Sequence, residues 1–226
     1  MRHITLSEGE YYHVYNRGVD KRVVFTEPME YKRFLDYLNL MNDTERTRYT
    51  DDFRHNHEAK PREPERYKSP LVAIGAYCLM PNHFHLYVTA CTEGGISKFM
   101  QRIQTAYTMY FNQKHERAGS LFQGTFKAEH VDSDVYAKHL FSYIHLNPAK
   151  LVDPDWKEFG VRDFRRVQKF VREYPYSSLR EYREKSHVIT SPSKFPEYFL
   201  NARDVDDHVD FWLSTKDESA SRGLAS

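Results

Sequence analysis

The stretch that most limits what this chain can fold into is the run Leu71-Val72-Ala73-Ile74-Gly75-Ala76-Tyr77-Cys78-Leu79, followed by Met80-Pro81-Asn82 and then His83-Phe84-His85-Leu86-Tyr87-Val88. Two β-prone runs joined by a Pro-Asn turn predict a hairpin over Leu71 to Ala90. Side chains on a strand alternate faces, so His83 and His85 project one way and Phe84 and Leu86 the other. Two imidazoles on one rigid face can share a metal ion.

Alone, such a pair means little. With 12 His in the chain, chance gives roughly 0.6 His-x-His pairs. A second one, His55-Asn56-His57, sits in a polar segment with no strand to hold it. Only the first pair has a scaffold, and its bland alternative is a hairpin whose exposed face happens to carry histidines. Bulk charge does not decide the matter, because Lys and Arg total 33 against 32 Asp and Glu. The aromatic share of 15% suits a core for most of these rings and base-stacking surfaces for some. Cys78 and Cys91 lie beside apolar strand residues and are expected as reduced, packed thiols, with no disulfide framework. The N-terminus has no apolar leader and no stretch approaches membrane-spanning length, so a cytoplasmic protein without membrane association is expected.

Taken in order, Tyr11 to Gly18 is a first strand ending at a glycine, with Val23-Val24-Phe25 as a short continuation. Phe34, Leu35, Tyr37, Leu38 and Met41 recur at helical spacing in Glu27 to Met41. Residues 42–69 turn polar and form an insertion on this hydrophobic pattern. After the hairpin, Ile96, Phe99, Met100, Ile103, Ala106, Tyr107, Tyr110 and Phe111 predict a second helix from Ser97, its expected N-cap, to His115. Gly119 to Ala128 predicts a turn and a further strand, and Asp132-Ser133-Asp134 caps a third helix that Pro148 stops. This order gives an α+β protein, a ferredoxin-like antiparallel sheet with helices on one face. A C-terminal appendage follows, with a basic amphipathic helix around Val161 to Arg172, an acidic stretch at Asp204, Asp206, Asp207 and Asp210, and a frayed tail from Ser219.

In the third helix Tyr143 and Asn147 stand four apart and so share a face. An Asn147 amide oxygen beside two imidazoles makes an N,N,O set with open positions, suited to Mg²⁺ or Mn²⁺ rather than to closed structural zinc. The tyrosine hydroxyl would then stand beside the metal. Tyr107 and Tyr110, three apart on the second helix, compete with Tyr143 for that place.

Several segments together resemble the REP-associated tyrosine transposases, within the HUH (His-hydrophobic-His) single-tyrosine transposases. They are Tyr12-His13-Val14-Tyr15-Asn16-Arg17-Gly18, Met80 to Leu86, Phe99-Met100-Gln101 through Asn112, Leu121-Phe122-Gln123-Gly124-Thr125-Phe126-Lys127, Tyr143-Ile144-His145-Leu146-Asn147-Pro148 and Tyr174-Pro175-Tyr176-Ser177-Ser178. The resemblance implies a catalytic domain over 1–149, interrupted at 42–69, and an appendage over 150–226. It implies metal-dependent cleavage and joining of single-stranded, hairpin-forming REP-like DNA through a 5′-phosphotyrosine. His83 and His85 match the metal pair, Asn147 the third ligand and Tyr143 the nucleophile. Phe122, Thr125 and Tyr176 stand where the family often has Trp, Arg and Trp. Phosphate contacts are expected from Arg102, Lys114, Arg117 and Lys127 and, on the appendage, from Arg165, Arg166 and Lys169. A monomer or a homodimer fits, and the alternative is a non-catalytic protein that keeps the fold to bind single-stranded hairpins.

Overall fold

The computed structural model describes residues 4–44, 69–199 and 201–215. Nearly all of the 42–69 insertion, the pair His55 and His57, and the tail from Ser219 lie outside the described residues.

Strands β1 (Tyr11–Arg17), β2 (Val72–Met80), β3 (His83–Ala90) and β4 (Lys127–Val131) form one antiparallel sheet in the order β2-β3-β1-β4. Helix α1 (Pro28–Leu40) joins β1 to β2 and α2 (Gly95–Lys114) lies between β3 and β4. That β-α-β-β-α-β order with this strand arrangement is the ferredoxin-like topology the sequence pattern implies. Cross-strand register sets the faces: Tyr15 lies opposite His85, Arg17 opposite His83 and His13 opposite Glu129. Partners opposite each other point to the same side of a sheet. His13, Tyr15, Arg17, His83, His85, Lys127 and Glu129 therefore share one face.

The other face carries Tyr12, Val14, Phe84 and Leu86, packed on Phe34 and Leu38 of α1 and on Phe99, Ile103 and Tyr107 of α2. Helices α1 and α2 thus lie on one side, as expected, but the third helix, α3 (Asp134–Leu146), packs on the histidine side. Its Ala137, Phe141 and Ile144 join Cys78, Tyr87 and Val131 in a second core. The physical reason is in β2, every residue of which is buried. A strand apolar on both faces needs cover on both. Beyond α4 (Trp156–Phe159), the appendage completes that cover with Val167 and Val171 of α5 (Phe164–Glu173), Leu179 of α6 (Leu179–Glu184) and Val205 and Val209 of α7 (Ala202–Ser214). Residues on both sides of position 149 share this core.

Local details differ from the pattern in identifiable ways. Val23 to Phe25 is not a strand; the Val24 and Phe25 amides both donate to Pro81 O, at 2.8 and 3.0 Å, so the loop closes on the hairpin turn. Helix α2 starts at Gly95, not Ser97, because left-handed Gly94 (φ 65°) turns the chain and Gly95 packs under Leu71, where a Cβ would sit 2.2 Å from the carbonyl oxygen. Residues Gly119 to Phe126 form a loop rather than a strand. Its Gln123 amide donates to Arg17 O at 2.8 Å and the Asn16 amide donates to Gly124 O at 3.2 Å, clamping the end of β1. Helix α3 begins where the capping residues predict, with Ser133 Oγ accepting from the Tyr136 amide, and ends at Leu146 in a 3₁₀ turn, Asn147–Leu151, that carries Pro148. Beside β2, the Leu79 amide donates to Tyr176 O at 2.9 Å and the Ser178 amide to Tyr77 O at 3.0 Å, which covers the sheet edge. Cys78 is buried and Cys91 half-buried, both as free thiols. Among the described residues no helix is long and apolar enough to cross a membrane.

Candidate active site

Strand alternation delivers His83 and His85 to one face, and their rings stand edge to face with centroids 4.9 Å apart. His83 Nδ1 lies 2.6 Å from Asn82 Oδ1 in the turn, and Asn147 hydrogen-bonds to the same ring. The Asn147 amide nitrogen donates to Tyr143 O at 2.8 Å, so the i, i+4 spacing fixes the amide at the end of α3. His85 Nδ1 lies 2.9 Å from His13 Nε2. Each imidazole of the hairpin thus has Nδ1 held by a neighbour. His85 keeps Nε2 for a further partner, and His83 shares its ring with Asn147. Two neutral imidazoles and an amide oxygen gathered this way fit a divalent cation with open coordination positions. Among the described residues no cluster of three or more His, Cys, Asp or Glu offers another metal site.

Tyr143 comes from the same chain and is half-buried. Its ring meets His85 edge-on at a centroid distance of 5.4 Å and His13 at 5.9 Å. Lys157 Nζ lies 4.7 Å from the Tyr143 ring centroid. The competing Tyr107 is fully buried on the opposite side of the sheet, its hydroxyl donating to Val24 O at 2.6 Å. Tyr110 belongs to the same core.

Electrostatics keep the histidines uncharged. Burial, then the nearby Arg17 and Lys150 charges, lower His83 to about 4 against the opposing hydrogen bond with Asn147. Burial, then His13 and His83, hold His85 well below the ordinary imidazole value, with Lys150 and Arg17 adding to the effect. Arg17, Lys150 and Lys157 give the site positive charge suited to a phosphate. Pairing over the motifs did not single them out: Arg17 is at the site only because β1 pairs with β3 in this register, and Lys150 only because the turn after Asn147 stays close.

His13 and Glu129 were likewise missed. Glu129 accepts from the Tyr15 hydroxyl at 2.7 Å and the Tyr136 hydroxyl at 3.2 Å, and its Oε2 lies 3.7 Å from His13 Nδ1. The His13 imidazole, then the two phenols, hold Glu129 down at about 2 against the effect of burial. The period-2 alternation of Tyr11, His13 and Tyr15 was the available signal, but it needed the β1–β3 pairing to be read.

The expected phosphate-binding cations divide into two groups. Arg102 donates to the Asp43 carbonyl, Lys114 pairs with Glu27 and with buried Glu30, and Arg117 donates to Asn112 and to Ser120 O, all around α1 and α2. That is the side away from the histidines. Lys127 is exposed on the histidine face, 5.9 Å from the Tyr15 ring centroid. Arg165, Arg166 and Lys169 are exposed on α5, which packs against the 147–151 turn.

No curated protein matches the chain. A solved structure of a REP-associated tyrosine transposase bound to a REP hairpin aligns over 89% of this chain and 91% of its own, at 13% identity and a TM-score of 0.48. Residues 44–147, which hold the histidine hairpin, α2, Tyr143 and Asn147, match the family described as "Transposase IS200 like". Over that span the chain is similar to the IS200-like transposases.

Proposed function

We propose that the protein cleaves and rejoins single-stranded DNA next to hairpin-forming repeats, with Tyr143 as the nucleophile. The observation that supports this most is the convergence, within one chain, of the Tyr143 ring on the His85 and His13 rings at 5.4 and 5.9 Å, beside His83 and Asn147. Tyr143 Oη attacks the phosphorus, an Oη–P bond forms and the P–O3′ bond breaks. The 3′-oxygen leaves as a hydroxyl, taking up a proton, and the 5′ end stays on the tyrosine. Attack by a second 3′-hydroxyl reverses the sequence and seals a strand, with no nucleotide triphosphate consumed.

A phenol is a weak nucleophile at neutral pH, so the electrophile has to be made more reactive. His83, His85 and Asn147 would hold Mg²⁺ or Mn²⁺, which when bound withdraws charge from the phosphate oxygens and orients the group for in-line attack. Arg17 and Lys150 attract the phosphate to this face, and Lys157 puts positive charge against the phenol that loses its proton. Lys127 with Arg165, Arg166 and Lys169 offers the backbone contacts nearest the site. Arg102, Lys114 and Arg117 already have partners and serve the α1–α2 packing first.

The test is a hairpin oligonucleotide with single-stranded flanks, incubated with the protein and Mn²⁺ and run on a denaturing gel. A covalent protein–DNA adduct is expected from the native chain and from Tyr107→Phe, and none from Tyr143→Phe or in the presence of chelator. An adduct that survives Tyr143→Phe rules out this nucleophile.

A further inference from the structure

His13 belongs to neither the tyrosine nor the proposed ligands, yet it is only 3% exposed and touches His85 directly. Its Nδ1 is buried with no hydrogen-bond partner among the described residues, and Glu129 Oε2 lies 3.7 Å from it. We propose that Glu129 and His13 act as a positioning relay that fixes His85 as its Nδ1–H tautomer and leaves the His85 Nε2 lone pair bare for a cation. The second half of this rests on the metal-binding reading above; the first half does not.

The argument follows the protons. Tyr15 and Tyr136 both donate to Glu129, which orients the carboxylate and favours its charged form. A lone pair on His13 Nδ1 would face that carboxylate with no proton between them, whereas an N–H there is attracted to it. The proton of neutral His13 therefore sits on Nδ1, and Nε2 is an acceptor. At 2.9 Å from that acceptor, His85 Nδ1 has to be the donor. A neutral imidazole carries one ring proton, so His85 Nε2 has none. His85 is 5% exposed, and Tyr15 stacks on His13 at 4.8 Å to hold the ring plane. A ligating histidine whose other ring nitrogen donates to such a partner is oriented and made more basic by it.

Nitrogen-15 NMR of the metal-free chain, labelled in histidine, reads the tautomers without any activity measurement. The native protein is expected to show His85 as Nδ1–H. In His13→Phe, and in Glu129→Gln where His13 remains in place, that preference is expected to be lost. His13→Gln is expected to restore it, because the amide oxygen can stand where Nε2 stood. By titration with Mn²⁺, His13→Phe should weaken binding by about 10- to 100-fold, and His13→Gln should recover most of the loss. His85 found as Nε2–H in the native chain, or unchanged in both His13→Phe and Glu129→Gln, overturns the relay. A native chain that shows the expected tautomer and responds to the variants, yet takes up no Mn²⁺, upholds the relay and rejects the metal reading instead.

Discussion

At the scale of single residues, the lone pair of His83 is governed by its surroundings more than by imidazole chemistry. Burial and the Arg17 charge opposite it on β1 hold its pKa at about 4. A cation held there, as proposed, would compete with protons for that lone pair, so its affinity would stay level while pH exceeds the folded pKa and drop below it. Mn²⁺ binding measured by calorimetry is therefore expected to be flat from neutral pH to about 5 and to weaken only near 4. A fall centred on the ordinary imidazole value would contradict the burial seen here. Replacing Arg17 with Gln removes a charge that opposes protonation, so the midpoint should move upward. Tyr107→Phe isolates a different kind of effect. It removes the buried hydrogen bond to Val24 O and is expected to cost about 1 kcal/mol of stability without touching the adduct assay.

At the scale of elements, α5 separates two uses of basic residues on one helix. Val167 and Val171 face the second core, while Arg165, Arg166 and Lys169 are exposed. Arg172 turns to α7, 2.7 Å from Asp210 and 3.5 Å from Asp206, and Arg183 of α6 joins it 2.8 Å from Asp206. The acidic C-terminal stretch legible in the sequence is thus a packed helix that neutralises arginines. Changing Arg165, Arg166 and Lys169 together to Gln should lower the log–log salt slope of hairpin binding by about 2 to 3, near 0.7 to 0.9 for each lost phosphate contact. Arg172→Gln should instead lower the melting temperature and leave that slope alone. The same contrast explains what could be read in advance. His83 with His85, and Tyr143 with Asn147, are visible because their spacing is local, two along a strand and four along a helix. His13, Arg17 and Glu129 reach the site through strand register alone, which joins β1 to partners far along the chain. The side taken by α3 was equally hidden, because helical periodicity shows which residues are apolar but not which face of the sheet receives them.

At the scale of the whole molecule, the fold keeps four histidines as neutral rings. Burial lowers His13, His83, His85 and His145, the last to about 3, and His145 Nε2 sits 2.7 Å from Ser178 Oγ, tying α3 to the segment beside β2. In the unfolded chain each ring regains an ordinary value near 6.5. Below about pH 6.5 the unfolded state therefore binds more protons than the folded one, and stability must fall as pH falls. Each histidine contributes up to about 1.4 kcal/mol per pH unit until its folded pKa is reached. Glu129, lowered to about 2, adds a loss of the same sign further down, as the pH drops through the carboxylate range. Urea unfolding of the metal-free protein is thus expected to show stability level above pH 7 and declining steeply between about 6.5 and 4.5. His145→Gln, which can keep a hydrogen bond to Ser178 but takes up no proton, should make that decline shallower by about one proton, whatever it costs at neutral pH. A decline equally steep in the variant would mean that His145 is protonated within the fold, against its complete burial between α3 and Ser178.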